Sequence, residues 1–314
     1  MSPPALRPGY PLAWRAGSVL LAGGGLYATY SLFAQRAHAE SPEAQAPAPT
    51  PRPVFSRFGP TTLRVQAVQE VNHNMKKLVL AYPDPEAKSG LQPISSLITL
   101  THPPGRWLPL PRPYTPISDL DEKGHLTLLI KKYPHGRGSS YLHALQPGDS
   151  LTVLAARRGY QHQEPNQFSH VYLLAGGAGI TPCYQLIQTI LKDPAENTKL
   201  TLLFGGNTEA DLVLREELEV LARGFPDRLR VVYTVSQGRD VGGSGGQGEG
   251  KGKGEVKEGR IDEALLRENI LDSAGRVKVF VSGPPGMEKA LVGGKGEEGV
   301  LQKLGFGKEQ IHRF

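Results

Sequence analysis

Residues 170–182 read HVYLLAGGAGITP. His170–Leu174 is a short apolar run. Ala175-Gly176-Gly177-Ala178-Gly179 follows, then Ile180, Thr181 and Pro182, and then a helical pattern over Tyr184–Leu191. A strand, a glycine turn and a helix in that order make a dinucleotide site. The glycines admit a pyrophosphate, and the helix N-terminus favours its charge. Pro182 suits the first turn of that helix. A glycine turn alone is weak evidence, but this one has the strand before it and the helix after it that the motif requires.

Downstream, the pattern predicts a strand at Leu200–Phe204, a helix at Asp211–Ala222 and strands at Leu229–Val235 and Val277–Val281. Alternating strands and helices imply a parallel-sheet α/β domain over 168–314. Ser282-Gly283-Pro284-Pro285-Gly286-Met287 lies just past the last strand, and open parallel sheets bind ligands at their carboxyl ends. Residues 237–259 are a Gly/Lys/Glu insertion, too hydrophilic to pack, and are expected to be a disordered surface loop.

Upstream, residues 60–160 carry short β-rich runs at Thr62–Val68, Lys77–Ala81, Leu97–Leu100, Leu126–Ile130 and Leu151–Leu154. Pro, Gly, Asn and Asp punctuate the gaps, which predicts a small β-barrel. Within it stands Arg112-Pro113-Tyr114-Thr115-Pro116-Ile117-Ser118. Arg112 offers a fork of donors for a phosphate. Tyr114 offers a flat face and a hydroxyl, and Thr115 and Ser118 offer short donors. Next comes Gly136-Arg137-Gly138-Ser139-Ser140, whose small residues let backbone N–H groups approach an anion ahead of a helix capped by Ser139 or Ser140. Each motif by itself also fits an ordinary turn or strand edge.

The order RPYTPIS, IKKYPHGRGSSYLHALQPGDSL, AGGAGITP and SGPPGM resembles the NADH-cytochrome b5 reductase branch of the ferredoxin-reductase-like flavoproteins, most of all its fungal mitochondrial members. The resemblance spans most of residues 60–314. It implies a β-barrel FAD-binding domain followed by an α/β NAD-binding domain, with FAD and NADH as cofactors. It implies that Arg112, Pro113, Tyr114, Thr115 and Ser118 line the flavin, and that Gly136, Arg137, Gly138 and Ser139 hold its pyrophosphate. Lys131 and Tyr133 match the I-K-x-Y strand that helps to bind NADH. Gly177, Gly179, Thr181 and Pro182, with Gly283, Pro284 and Met287, would flank the nicotinamide, and Phe314 matches a terminal phenylalanine. Thr115, Lys131, Thr181 and Ser282 are the residues it places closest to the chemistry. The acceptor it implies is a haem protein, cytochrome b5 first, with a haem reductase of cytochrome c maturation as an alternative. A degenerate flavin-binding scaffold is the reading from another class.

Three departures stand out. Ala155-Ala156-Arg157-Arg158-Gly159-Tyr160 lacks a proline that the family usually has beneath the flavin. Ser282 stands at a cysteine position. Ser236 stands where an acid meets the adenine-side ribose, which with Arg239 nearby leaves NADPH as an alternative to NADH.

Residues 1–39 contain no acid, and the run Ala16–Ala34 has no charge. At 1.5 Å per residue such a helix spans about 30 Å, the thickness of a bilayer core. Residues 1–40 are therefore expected to be a targeting segment of mitochondrial character with a single transmembrane helix; the resemblance to fungal mitochondrial members implies an anchor in the outer membrane or facing the intermembrane space, with the endoplasmic reticulum or another membrane as the alternative. A cleaved secretory signal and an unstructured tail are the competing readings. Residues 41–59, rich in Pro and Ala, read as a linker. A net charge of +6 permits an acidic partner or an anionic membrane, and no basic stretch with interleaved aromatics points to nucleic acid. With Cys183 the single cysteine, neither an internal disulfide nor a thiolate cage is possible, and no protein-bound metal is expected.

Overall fold

The computed structural model describes residues 52–55, 59–105, 107–161, 164–237, 256–270 and 273–314. Six strands come first: β1 (Thr61–Glu70), β2 (Met75–Ala81), β3 (Ser96–Thr101), β4 (Leu110–Tyr114), β5 (His125–Lys131) and β6 (Ser150–Arg157). They form an antiparallel sheet in the order β4-β3-β6-β1-β2-β5. A bridge from Pro116 to Leu128 brings the continuation of β4 back onto β5 and closes the barrel. Side chains alternate across the pleat, so Leu126, Leu128 and Ile130 of β5 point inward and are buried beside Leu63, Leu78 and Leu97. Helix α1 (Arg137–Ala144) sits between β5 and β6 and adds Leu142 to that core.

The second sheet is parallel throughout. Its strands are β7 (His170–Gly176), β8 (Lys199–Gly206), β9 (Leu229–Val235), β10 (Val256–Glu258), β11 (Val277–Ser282) and β14 (Ile311–Arg313), in the order β10-β9-β8-β7-β11-β14. A small antiparallel pair, β12 (Gly293–Gly294) and β13 (Glu297–Glu298), lies outside it. β7 is buried on both faces from Val171 onward, as a central parallel strand must be. Helices α2 (Ile180–Lys192) and α3 (Arg215–Gly224) cover one face; α4 (Glu263–Asn269), α5 (Pro285–Val292) and α6 (Val300–Lys303) cover the other. Strand order reverses between β7 and β11, and such a switch point opens a crevice at the carboxyl ends.

Both domains belong to one unit, residues 51–314. Met75, Ile94, Ile117 and Leu129 of the barrel share a single buried cluster with Ile180, Tyr184 and Ile187 of α2. Each buried aliphatic side chain contributes about 1.5–3 kcal/mol, so this contact is a core rather than a hinge.

Several sequence expectations are adjusted. Val54 and Phe55, inside the stretch read as a linker, donate backbone N–H groups to Lys88 and Ser89 and pack on the barrel core. Val256–Glu258, inside the stretch read as a loop, pairs with β9 because its Val256 is buried there. The helix expected over Asp211–Ala222 begins only at Arg215. Asp211 is taken up in a separate single turn capped by Thr208, and Leu214 in the left-handed region (φ 60°) interrupts the chain between the two. Residues 1–40 and 238–255, with Arg239, lie outside the described residues. Among the described residues no helix is long and apolar enough to cross a membrane.

Candidate active site

Two clefts meet where the barrel abuts the parallel sheet. The larger, about 650 Å³, runs between them. β4 brings Arg112, Pro113 and Tyr114 to its wall, and Thr115 follows. β4 is a strand despite two prolines because it lies at the sheet edge, where a missing N–H costs no ladder bond. Burial pushes the Tyr114 phenol up to about 12, so its hydroxyl stays protonated at any physiological pH.

The turn 133–139 is bolted together by Ser139. Its hydroxyl donates to Gly136 O (2.9 Å) and accepts from Tyr133 N (3.2 Å). The expected cap at Ser139 or Ser140 is replaced by Gly136 at the N-cap, with no side-chain cap. The first-turn N–H groups of α1 thus carry no side-chain acceptor, and no acid sits among them. A Cβ on Gly136 would lie 2.5 Å from Ser139 Oγ, and one on Gly138 would lie 3.3 Å from Arg112 Cγ. Free donors, two glycines and Arg112 make a cradle of the size and charge that a flavin dinucleotide's pyrophosphate needs. Tyr114 and Thr115 beside it suit the ring system.

The smaller cleft, about 400 Å³, opens at the carboxyl ends of β7, β8, β9 and β10. Gly177, Pro284 and Met287 line it, together with Gly205, Gly206, Asn207, Ser236 and Arg260. Gly177 has φ 53°, and a Cβ there would lie 3.3 Å from Lys131 Nζ. Gly179 touches the turn after β11 so closely that a Cβ would fall 2.1 Å from Ser282 O. Gly179, Thr181, Pro182, Ser282, Gly283 and Phe314 face the larger cleft. The Thr181 hydroxyl donates to Ala178 O at 3.2 Å, which fixes the turn at the start of α2. Lys131 and Gly176 line both clefts.

Ser118 is not brought to either cleft. Its Oγ accepts from Thr127 N at 3.0 Å and closes the barrel instead, so its expected place at the flavin is corrected. Sequence reasoning passed over the Gly205-Gly206-Asn207 turn and Arg260. The glycine pair after a β-rich run was the available signal for the first.

Two family models match this chain: "Oxidoreductase FAD-binding domain" over residues 62–158 and "Oxidoreductase NAD-binding domain" over 173–292. The NADH-cytochrome b5 reductase 2 of Pyricularia oryzae is 36% identical over 308 residues, 95% of this chain and 88% of its own. That of Emericella nidulans is 38% identical over 286 residues, 88% of this chain and 85% of its own. This chain belongs to the NADH-cytochrome b5 reductase family. The fold agrees with the cytochrome b5 reductase domain of Ulva prolifera nitrate reductase (TM-score 0.70, 24% identity), which covers 84% of this chain and all of that one.

Against that family pattern, the segment 155–160 still serves the site. β6 runs on to Arg157, and Arg157, Arg158 and Gly159 line the larger cleft. Gly159 approaches Ile94 so closely that a Cβ would fall 2.1 Å from its carbonyl oxygen. Tyr160 packs edge-on against Phe280 (4.8 Å) and His312 (5.1 Å), and Phe280 stacks on Phe314 (5.5 Å). Tyr160 thus supports the C-terminal Phe314 through Phe280 and His312, both of which touch it.

Proposed function

We propose that this chain oxidises NADH and passes the electrons through FAD to cytochrome b5. The observation that carries this reading is the shared wall of Lys131 and Gly176, which line both clefts. A flavin held in the larger cleft and a nicotinamide held in the smaller would meet across it. Bound FAD supplies the hydride acceptor and releases electrons singly; the protein supplies orientation and electrostatics. Arg112 and the N-terminus of α1 would hold the pyrophosphate, and Tyr114, a neutral phenol, would line the cleft beside the ring system. Gly177 would give the nucleotide its approach in the smaller cleft, while Thr115, Gly179, Thr181 and Ser282 line the larger cleft, where a nicotinamide would have to reach the flavin. The Lys131 ammonium stands between the clefts and orients the nucleotide. The test is to purify the full chain, record its visible spectrum anaerobically, add NADH and then oxidised cytochrome b5. Bleaching of a flavin band followed by haem reduction is expected. A flavin that NADH leaves oxidised would favour the scaffold reading.

We further infer that residues 1–40 anchor the enzyme in a mitochondrial membrane. The acid-free stretch 1–39 and the uncharged run Ala16–Ala34 support this reading. Fractionation of cells expressing the full chain should place it in mitochondrial membranes resistant to alkaline extraction. Recovery from the soluble fraction counts against the anchor.

A further inference from the structure

We propose that this chain takes NADPH as well as NADH, with Arg260 reading the 2′-phosphate. The inference rests on the assignment of the smaller cleft to the nicotinamide nucleotide. A site selective for the unphosphorylated nucleotide places a carboxylate on the adenosine ribose, where it accepts from the 2′-hydroxyl and repels a 2′-phosphate; an arginine there does the opposite. Among the described residues that line this cleft there is no Asp or Glu, while Lys131 and Arg260 both do so.

Geometry separates the roles of those two cations. Lys131 and Gly177 lie at the β7 end of the cleft, where it meets the flavin site. Arg260 lies beyond β10, three strands away in the order β10-β9-β8-β7. At about 4.8 Å per strand that is about 14 Å from the hydride-transfer end, on the adenosine side. Its position is built rather than incidental. The buried Thr234 donates its hydroxyl to Gly259 O at 2.8 Å, and Gly259 N donates to Val235 O at 2.8 Å. Gly259 itself takes φ 121°, open to glycine alone, and turns the chain so that Arg260 stands beside Ser236 at the ends of β10 and β9. Ser236 Oγ lies 3.5 Å from Asn207 Oδ1, which leaves two short neutral groups at the ribose position.

The Arg260 guanidinium is exposed and makes no hydrogen bond or ion pair among the described residues, so its donors are available. The neighbouring acid Asp262 is engaged, its carboxylate capping α4 through Leu265 N at 2.9 Å. An unpaired arginine matches a phosphate with two parallel hydrogen bonds, a geometry that lysine cannot reproduce.

The test compares binding and turnover. Calorimetric titration of the full-length flavoprotein with 2′,5′-ADP and with 5′-AMP should show the former binding about ten- to a hundredfold more tightly, the range expected for a charge-assisted pair. Arg260→Ala should remove that difference, and Arg260→Lys should restore part of it. In parallel, anaerobic flavin reduction should proceed with both NADPH and NADH, and Ser236→Asp should lower the NADPH-to-NADH ratio of kcat/KM at least tenfold. Equal affinity for the two fragments overturns the proposal, as does a ratio that Arg260→Ala leaves unmoved. A flavin that stays oxidised with both nucleotides would instead defeat the hydride-transfer reading, while the fragment comparison still decides this one.

Discussion

Lys131 Nζ and Asp211 Oδ1 face each other at 3.9 Å across the boundary between the two domains. The lysine projects from β5 of the barrel, and the carboxylate belongs to the turn after β8. Asp211 Oδ2 is held by the backbone N–H of Thr208 at 3.2 Å and its hydroxyl at 3.4 Å, whereas the buried Oδ1 accepts no hydrogen bond. The carboxylate thus holds the ammonium by charge and takes none of its three donors in a hydrogen bond. Asp211→Asn keeps the cap on the turn but releases the lysine. It should lower kcat/KM for NADH about ten- to a hundredfold, since a misplacement near 1 Å has that scale of effect. Lys131→Met made on that background should add little, because the two residues act as a unit. Additive losses in steady-state kinetics of the single and double variants would show that they act separately.

Gly179 packs against the turn after β11, where a Cβ would fall 2.1 Å from Ser282 O and 2.8 Å from Gly283 N. Both are backbone atoms and cannot swing aside. Gly179→Ala should therefore force β7 and β11 apart at the crevice and weaken NADH binding, while the cradle of Arg112 and Gly138 retains FAD. The expected result is a protein with its flavin absorbance intact and a KM for NADH raised tenfold or more. A KM within twofold of the parent would mean that the crevice is more plastic than its contacts imply.

Much of this arrangement is legible in the sequence because local chemistry and tertiary placement agree. Leu229–Val235 is a strand by composition and a strand in the sheet. The RPYT segment reads as a ligand wall, and Arg112, Pro113, Tyr114 and Thr115 line the larger cleft. Where sequence reading falls short, a long-range partner decides the outcome. The Ser118 hydroxyl has the right chemistry for a flavin, yet Thr127 N, nine residues on, takes it. Arg260 lies past an insertion that hides its pairing partner, and only the register of Val256–Glu258 on Tyr233–Val235 brings it to the smaller cleft. The start of α3 is not legible in the sequence because propensity does not register a left-handed leucine.

Three histidines, His143, His170 and His312, have their pKa values lowered from 6.5, each chiefly by burial. Between their folded values and 6.5 the unfolded chain binds more protons than the folded one, so stability rises with pH across that window and is lost as pH falls below 6.5. The melting temperature should decline as pH is taken from 7.5 to 5. His170 stacks on Tyr172 at 4.2 Å and contacts Thr201 Oγ1 at 2.9 Å, and His170→Asn should flatten part of the decline. A melting temperature that is flat or climbs on acidification over this range contradicts the account.

Cys183, one residue past Pro182 at the start of α2, is fully buried within the cluster that joins barrel to sheet. Burial pushes its thiol far up, so thiolate, the reactive form, is scarce at neutral pH. The position lies close in sequence to Thr181, yet the side chain points into the core rather than the cleft. The folded enzyme should therefore release no chromophore from a disulfide thiol reagent at pH 8, and one equivalent after unfolding in guanidinium. Cys183→Ala should leave a small cavity and cost about 1 kcal/mol of stability without changing the reduction of the flavin by NADH. Rapid labelling of the native protein, with loss of NADH turnover, would place this thiol at the active site instead.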